Sequence, residues 1–486
     1  MNQQNLRVYE TKWSSKRKED ELLVDNPVNG EYFALVRGSG KEEVAACVEA
    51  ADAAYNNTWR WLPPHERGAL LKKAARVVEQ HFDEIARLET EEEGKPLFIS
   101  RSDTRRCVQA FDYFGGLIGN LPTELYDLGP INAAVFLEPY GVVAGIIPFN
   151  WPPLHTAAKI APALAVGNTI VLKPGDQAPL CVMRIVEILQ EVFPPDVLSV
   201  ITGPGATAGQ ALTSHPLVRK IAFTGSSNSG RAVLRQAAEN ITPCIMELGG
   251  KNAIVILPGC NIDEIIPVAF QGAFYNNGQA CSAASRIIIH RSLHDEFVEK
   301  FSRVVREIKV GDGMDPENYI GPLVSKAQQK RVLEYLEIGV KEGATISAQA
   351  PLPTDERLKN GYFVPPTLFD NVTSRMRIAQ EEMFGPITCV ISYDDPNEAA
   401  ALANDTAYGL VAVVYSPDYA QAMRIARQLD MGMVYVNNFY RGGLQCVPFG
   451  GNKKSGFGRE RCIETLHEFG RSKTVRVPSG IGELPV

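Results

Sequence analysis

Apolar runs of strand length alternate with amphipathic stretches of helix length through the middle of the chain. Each run ends in glycine, proline or a polar residue, and the runs occupy residues 141–149, 168–174, 197–203, 218–225 and 242–250. Between them lie segments such as APLCVMRIVEILQEVF and SGRAVLRQAAEN. Strands that are apolar on both faces and alternate with helices are typical of a parallel sheet covered on each side. The pattern predicts a doubly wound α/β fold.

A second α/β series begins at about residue 252. The runs NAIVIL, SRIIIHR, ITCVISY, GLVAVVYS and GMVYVNN predict strands, and HDEFVEKFSRVVREI and SKAQQKRVLEYLEIGVKEG predict helices. Residues 41–120, which precede the first series, have the periodicity of helices. This pattern predicts a second α/β domain of roughly 200 residues, which follows the first in the sequence and is within the usual size range of a domain.

Two segments do not fit either series. Residues 121–139 contain glycine, prolines and an alternating apolar run, which favours a projecting β-hairpin over the alternative of a plain surface loop. Residues 472–478, SKTVRVP, alternate apolar and polar positions as an edge strand does. Two unpaired edges invite aggregation, so we expect them to pair across a symmetric interface in a homodimer or a homotetramer.

Composition and charge exclude several classes of protein. Among 486 residues, 49 Lys and Arg against 56 Asp and Glu give a net charge of -7, which disfavours nucleic-acid binding. We find no apolar run long enough to span a membrane and no apolar segment behind the basic N-terminal residues, so neither an anchor nor a signal peptide is expected. The nine cysteines are scattered without CxxC pairs, which disfavours a metal site and a disulfide scaffold. A soluble cytoplasmic protein is predicted.

Polar residues that follow the predicted strands are candidates for the chemistry, since ligands bind beyond the carboxyl ends of parallel strands. Cys281 lies in the small-residue segment GQACSAAS, which would leave a thiolate accessible, although most cysteines are simply buried apolar residues. Glu247 ends a predicted strand, where it could act as a general base or merely as an ion-pair partner. Asn150 could donate to an oxyanion or cap a helix.

Seven motifs occur together in a fixed order along the chain. They are PFNWP, KPGDQAP, FTGSSNSG, MELGGKN, NNGQACSAASR, EEMFGPI and PFGGNKKSGFGRE. In order and spacing, including the 34 residues from Glu247 to Cys281, the chain resembles the aldehyde dehydrogenase superfamily over nearly its whole length.

The resemblance implies a division of labour among the candidate residues. Cys281 is similar to the nucleophile, Asn150 to the oxyanion donor that acts with the backbone N–H of Cys281, and Glu247 to the base that activates water. The expected product is the carboxylic acid, formed through a thiohemiacetal and a thioester. The resemblance also implies an NAD site formed by Ile147, Pro148, Phe149, Lys173, Asp176, Gly205, Thr224, Gly225, Ser226, Ser229, Leu248, Glu382 and Phe384.

The resemblance further implies a Rossmann-like cofactor domain at residues 1–120 and 140–249, a catalytic α/β domain at 250–446, and a small β arm for oligomerisation at 121–139 and 465–486. The sequence also departs from the family in places. Asp176 stands where the family usually has glutamate, and its carboxylate would repel a 2′-phosphate, which favours NAD over NADP. The family often continues after GFGRE with a Leu-Gly pair, whereas RCIETLHEF follows here.

The substrate is less well defined than the reaction. Trp151, Leu154, His155, Ala158, Tyr275, Tyr440 and Arg441 are the candidate pocket residues, and Tyr113, Phe114 and Phe439 are either aromatic walls or ordinary core. Small Ala158 favours a bulky or aromatic aldehyde, whereas Arg441 could bind a carboxylate and select a semialdehyde. An aminoaldehyde remains a further alternative for the substrate. A CoA-acylating enzyme is disfavoured by Glu247, and a non-catalytic structural protein by the three intact catalytic candidates.

Overall fold

The computed structural model describes residues 6–439 and 445–481. Its strands are β1 Arg7–Tyr9, β2 Glu21–Asn26, β3 Glu31–Arg37, β4 Glu124–Asp127, β5 Ile131–Pro139, β6 Val142–Ile146, β7 Thr169–Lys173, β8 Leu198–Val200, β9 Val218–Thr224, β10 Cys244–Glu247, β11 Ala253–Ile256, β12 Arg286–His290, β13 Thr345–Gln349, β14 Thr367–Asp370, β15 Ile387–Tyr393, β16 Tyr408–Gly409, β17 Val411–Tyr415, β18 Met433–Val436, β19 Asn452–Lys453, β20 Gly456–Phe457 and β21 Gly470–Pro478. Its helices are α1 Lys41–Asn57, α2 Pro64–Gln80, α3 Phe82–Glu93, α4 Leu97–Leu117, α5 Pro152–Val166, α6 Leu180–Gln190, α7 Gln210–Thr213, α8 Ser227–Glu239, α9 Ile262–Phe274, α10 Arg291–Arg306, α11 Lys326–Lys341, α12 Arg377–Gln380, α13 Glu398–Asn404, α14 Tyr419–Gln428 and α15 Ile463–Glu468.

The first sheet has the strand order β20-β10-β9-β6-β7-β8, and its strands are parallel except β20. The apolar runs of the sequence form these strands, which confirms the predicted doubly wound arrangement. Chain order runs outward from β6 in both directions, so a crevice opens between β6 and β9 at the carboxyl ends of the strands. The short antiparallel strand β20, contributed by the C-terminal part of the chain, was not predicted.

The second sheet has the order β13-β14-β15-β12-β11-β17-β18, with only β13 antiparallel. It contains all five strands predicted for the second α/β series, together with β13 and β14, which were not predicted. Strand β11 explains why that prediction succeeds: Ala253 and Val255 pack into the core on one face, and Ile254 and Ile256 pack into the core on the other. The sheet is covered on both faces, so its strands are apolar without interruption.

A small third sheet has the order β21-β5-β4. Strands β4 and β5 form the hairpin predicted at residues 121–139. Strand β21 pairs with β5 of the same chain over its full length, from Gly470 opposite Pro139 to Pro478 opposite Ile131. The expectation that both segments leave unpaired edges is therefore wrong for β5. Its edges are satisfied within the chain, and the outer edges of this sheet belong to β4 and β21.

Candidate active site

Cys281 lies where two clefts meet. One cleft, here called the cofactor-side cleft, opens at the carboxyl ends of the first sheet, and its walls include Phe149, Thr224 and Glu382. The other, here called the substrate-side cleft, has aromatic walls that include Trp151, Tyr275 and Phe439. Cys281 lines both of them. A reactant bound in either cleft would therefore lie beside Cys281.

A tight turn before β12 holds Cys281 in place. Asn276, Asn277 and Gly278 all adopt left-handed backbone conformations, with φ of 57°, 56° and 69°. Such conformations are disfavoured for residues other than glycine and persist where the surroundings enforce them. The Asn277 side chain supplies part of that enforcement, because it donates to Pro322 O and accepts from Gly321 N. Asn252, between the two sheets, donates to the carbonyl of Cys281 at 2.7 Å.

Asn150 is fixed in the loop between β6 and α5. Its side-chain Nδ2 donates to Gln279 O at 3.0 Å, so the amide lies against the segment that carries Cys281. Its carbonyl accepts from Lys95 Nζ at 2.6 Å and from Asn276 Nδ2 at 2.9 Å. Asn150 is 2% exposed. The N-cap alternative is not what the structure shows, because helix α5 begins at Pro152 after Trp151 and has no side-chain cap.

Glu247 ends β10 as a buried carboxylate, and neither of its oxygens has a hydrogen-bond partner among the described residues. Burial, together with the nearby negative charge of Glu460, raises the pKa of Glu247 well above its usual value. Glu460 itself forms a buried ion pair with Lys159. The ion-pair alternative for Glu247 therefore does not hold in the described part of the chain. Its carboxyl group therefore holds a proton more readily than a solvent-exposed glutamate does.

The cofactor-side cleft collects several residues that follow strands of the first sheet. Pro148 and Phe149 follow β6, Thr224 ends β9, and Gly225 and Ser226 lead into α8. Ser226 caps α8 by accepting from Ser229 N at 3.1 Å. The N-terminus of this helix offers backbone N–H groups and the positive end of its dipole to an anion. Thr224 Oγ1 is buried without a partner among the described residues.

Glu382 and Phe384 form the far wall of the same cleft. Glu382 Oε1 accepts from Gly250 N at 2.9 Å, and burial raises the pKa of this carboxyl to about 7. A Cβ atom at Gly249 would collide with the Glu382 carboxylate, so a side chain at this position would have to displace that carboxylate. Phe384, with φ of 60°, meets Phe149 edge to face at 5.8 Å. Leu248 lines the cleft between the two walls.

The remaining predicted cofactor residues lie beside β7 and β8. Lys173 ends β7 and donates to Asp176 Oδ1 at 2.7 Å, while Ile147 N donates to Lys173 O. Gly205 opens a helical turn at Gly205–Gly209 and has open space around it. These residues lie on the carboxyl side of the first sheet, in the region where the strand pattern predicts ligand binding.

The predicted substrate residues divide between the two clefts. Trp151 stacks on Tyr275 at 5.7 Å in the substrate-side cleft, with Leu154 beside them. His155 instead lines the cofactor-side cleft, where burial lowers the pKa of its imidazole. Ala158 is buried and lines neither cleft in the described part of the chain. Tyr440 and Arg441 lie outside the described residues.

Of the three further aromatic candidates, only Phe439 lines the substrate-side cleft. Phe114 belongs to the core beneath the first sheet, and Tyr113 packs against that core. Sequence reasoning missed two arginines of this cleft, Arg106 on α4 and Arg461 between β20 and α15. One signal for Arg461 was present, since it occupies the position after GFGRE where the sequence departs from the family pattern.

Two kinds of site are not found. No group of three or more His, Cys, Asp or Glu side chains among residues 6–439 and 445–481 could hold a metal ion. A helix able to cross a membrane is likewise missing from the described residues.

Comparison with known proteins gives a consistent result. Residues 13–475 match the aldehyde dehydrogenase family. An aldehyde dehydrogenase from Monascus ruber is 46% identical over 478 residues, 98% of this chain and 95% of that protein. Betaine aldehyde dehydrogenase from Bacillus subtilis (strain 168) is 37% identical over 468 residues, with 95% of each covered.

Solved structures agree with the sequence relatives. Betaine aldehyde dehydrogenase from Staphylococcus aureus in complex with NAD+ matches with a TM-score of 0.93 at 34% identity, covering 99% of this chain and 95% of the other. An NAD+ complex of aldehyde dehydrogenase from Bacillus cereus matches with a TM-score of 0.91 at 37% identity, covering 94% and 93%. The chain belongs to the aldehyde dehydrogenase family.

Proposed function

We propose that this protein oxidises aldehydes to carboxylic acids with NAD, through a covalent bond to Cys281. The observation that carries the proposal is the position of Cys281 at the junction of the two clefts. A dehydrogenase needs the remainder of its substrate and its hydride acceptor on opposite sides of the reacting carbon. An aldehyde bound to Cys281 from the substrate-side cleft would present its hydrogen to a cofactor in the other cleft.

The residues of the cofactor-side cleft fit a dinucleotide. The N-terminus of α8 suits a pyrophosphate, the buried Thr224 hydroxyl lacks a partner among the described residues, and the Glu382 carboxylate can accept from a ribose hydroxyl. Relatives solved as NAD+ complexes support the choice of NAD, which supplies a hydride acceptor when bound. In this proposal residues 1–120 and 140–249 form the cofactor domain, and residues 250–446 form the catalytic domain.

The groups of the chain would act in a fixed order. The Cys281 thiolate adds to the aldehyde carbon, and the charge that develops on oxygen is stabilised by Asn150 Nδ2 and the backbone N–H of Cys281. One Asn150 amide hydrogen is used by Gln279 O, which leaves the second for the oxyanion. Loss of hydride then leaves a thioester on Cys281.

Glu247 would act as the general base in hydrolysis of the thioester. Its carboxylate takes a proton from water as the water oxygen attacks the thioester carbon, and the carboxylic acid leaves with return of the Cys281 thiolate. The pKa of Glu247 is raised by burial, so the proton-accepting form increases as the pH rises through that value. Turnover limited by hydrolysis is therefore expected to increase with pH.

Assembly and location are also part of the proposal. The β4–β5 arm carries apolar side chains in solvent, among them Leu125 at 71% and Tyr126 at 50% exposure, and Val477 on β21 is 50% exposed. Burying these side chains against a second copy would favour a homodimer or a homotetramer. The nine cysteines form no disulfide, which is consistent with the cytoplasmic location that the sequence predicts.

The nucleophile assignment is tested with Cys281→Ala. We expect the variant to lose more than 95% of NADH formation with a panel of aldehydes while NAD still binds, because covalent catalysis needs the sulfur. Cys260→Ala, a partly buried cysteine after β11, is the matched control and should retain activity. Substantial turnover by the Cys281 variant would contradict the proposed mechanism.

The base assignment is tested with Glu247→Gln, and Glu239→Gln, at an exposed position on α8, is its control. A rapid burst of NADH followed by turnover slowed roughly 10²–10⁴-fold is expected, since the amide cannot accept a proton from water. Loss of the burst itself would show that Glu247 acts before hydride transfer, for example by activating Cys281.

A further inference from the structure

His155 is a buried imidazole that lines the cofactor-side cleft together with Asn150 and Cys281. It lies in the first turn of α5, and only 3% of its surface is exposed. Neither ring nitrogen has a hydrogen-bond partner among the described residues. A buried polar group without a partner is costly and rare in folded proteins. An imidazole in this state beside the proposed nucleophile therefore needs a ligand that completes its hydrogen bonds.

The surroundings keep this imidazole neutral. Burial lowers the pKa of His155 well below its usual value, and the nearby positive charges of Lys159 and Arg461 lower it further. The charge of Lys95 acts in the same direction. A neutral imidazole has one N–H donor and one acceptor nitrogen. His155 is therefore suited to bind a group that both donates and accepts hydrogen bonds, and it is not suited to store a proton.

The proposed base, Glu247, has the same need and the same neighbours. Both oxygens of its carboxyl group are buried without a hydrogen-bond partner among the described residues. The charges of Lys159 and Arg461 act on Glu247 as they act on His155, so the carboxyl and the imidazole share one charged region of the site. In protein interiors, a water molecule commonly makes about three hydrogen bonds to groups of this kind.

Hydrolysis of the thioester sets requirements on the attacking water. Its oxygen must present a lone pair to the thioester carbon, so both of its hydrogens must point towards acceptors. The Glu247 carboxylate takes one hydrogen as a proton. The other hydrogen stays on the oxygen and becomes part of the carboxylic acid, so its acceptor only has to hold it in place. A neutral imidazole nitrogen fits that requirement, because it accepts the hydrogen bond without removing the proton.

We propose that His155 positions the hydrolytic water, which donates a hydrogen bond to one of its ring nitrogens while Glu247 removes the other hydrogen as a proton. This inference rests on the function proposed above and adds the residue that orients the water in its last step. The water oxygen forms the new bond to the thioester carbon, and the carbon–sulfur bond breaks with its electron pair on Cys281. His155 is neutral before and after the step.

Hydrolysis of an acyl-enzyme can be followed without an aldehyde or a cofactor. The activated ester 4-nitrophenyl acetate transfers its acetyl group to a reactive thiol and releases 4-nitrophenolate. Mass spectrometry after an acid quench measures the acetyl-enzyme that remains at each time, with Cys281→Ala as the blank. In His155→Leu we expect acetylation to be retained and hydrolysis to slow roughly 10- to 100-fold, because the water loses its orientation. Hydrolysis at the wild-type rate would overturn the proposal.

Two matched variants show whether the hydrogen bond is responsible. His155→Gln keeps a donor and an acceptor, so its acetyl-enzyme should be hydrolysed faster than that of His155→Leu. No gain over His155→Leu would contradict the hydrogen-bonding role. Thr156→Val removes another buried group that has no partner among the described residues, at a position that lines neither cleft in that part of the chain. This control should keep the wild-type rate.

A second acyl acceptor separates the positioning of water from a general packing defect. Hydroxylamine attacks a thioester without help from a general base and forms a hydroxamic acid. At high concentration it should therefore remove the acetyl group from His155→Leu as fast as from the wild-type protein. Equal slowing towards water and hydroxylamine would show that the substitution disturbs the site as a whole, which would overturn the proposal.

The wild-type protein provides a test that does not depend on the folding of a variant. A high-resolution crystal structure should contain an ordered water hydrogen-bonded to a His155 ring nitrogen in the cofactor-side cleft. Ring nitrogens that contact only protein groups, or that bind no ordered water, would overturn the proposal. Slow hydrolysis of the acetyl-enzyme in His155→Leu, together with no NADH from any aldehyde, would contradict the proposed oxidation but retain the role of His155.

Discussion

Lys95 offers the sharpest test of how the structure holds Asn150, the proposed oxyanion donor. Its side chain is completely buried, with Nζ 2.5 Å from Glu89 Oε1, 3.8 Å from Asp103 Oδ2 and 2.6 Å from the carbonyl of Asn150. Replacing this lysine by methionine keeps much of its volume but removes the charge. The carboxylates of Glu89 and Asp103 then share a buried site without their cation, and the Asn150 carbonyl loses one of its two donors.

The expected loss of stability is about 3–5 kcal/mol, the typical cost of removing one partner from a buried ion pair. The loss should depend on pH. Burial already raises the pKa of Glu89 and Asp103, and it raises the pKa of Glu93 to about 8. Without Lys95 these values rise further. A carboxyl whose pKa is higher in the folded than in the unfolded state adds stability at low pH, and that contribution is lost as the pH rises through the folded value.

The Lys95→Met deficit should therefore be smallest near pH 4, close to the unfolded pKa of these carboxyls, and largest above about pH 8. Urea unfolding followed by tryptophan fluorescence at several pH values measures it. Lys73→Met, at an exposed position on α2, is the matched control and should change stability by less than about 0.5 kcal/mol. A deficit below about 1 kcal/mol that does not vary with pH would refute the argument.

Two further predictions concern the cofactor and the arm. Asp176→Ser should narrow the preference for NAD over NADP by removing a carboxylate that repels the 2′-phosphate, measured as the ratio of kcat/KM for the two cofactors; wild-type protein that uses NADP equally well would contradict it. Deleting residues 472–486 removes β21 over most of its length and exposes β5, so assembly and thermal stability should both fall. Light scattering reports the assembly, and a wild-type protein that is a stable monomer at micromolar concentration would refute the oligomer.

Most strands of the two large sheets were predictable from the sequence because both of their faces are buried, whereas β13 and β14 of the second sheet were not predicted. Strands buried on both faces give uninterrupted apolar runs, as in Ile254 and Val255, which belong to cores on opposite faces of β11. Strand β20 gives no such signal. It contains only Gly456 and Phe457, and it pairs with β10, a strand about 200 residues earlier in the chain. The partner of so short a strand is decided by tertiary packing.

Arg106 shows a second limit of the sequence. On a helix, an arginine normally indicates a solvated face, and Arg105 beside it is indeed exposed. Arg106 lies one position further round α4 and is turned into the substrate-side cleft. Only the packing of α4 against its neighbours distinguishes the two. Candidate residues at strand ends, such as Glu247 and Thr224, were easier to find, because parallel strands bring their carboxyl ends to one edge.

The catalytic candidates come from different sheets. This explains why the residues that align them were not recognised in the sequence. Asn150 follows a strand of the first sheet, and Cys281 precedes a strand of the second. Their alignment depends on hydrogen bonds to backbone carbonyls: Lys95 and Asn276 donate to Asn150 O, and Asn150 donates to Gln279 O. Because a carbonyl is present at every residue, no side-chain motif marks such an acceptor. The buried Lys95 thus acts on the proposed chemistry through positions that the sequence pattern cannot identify.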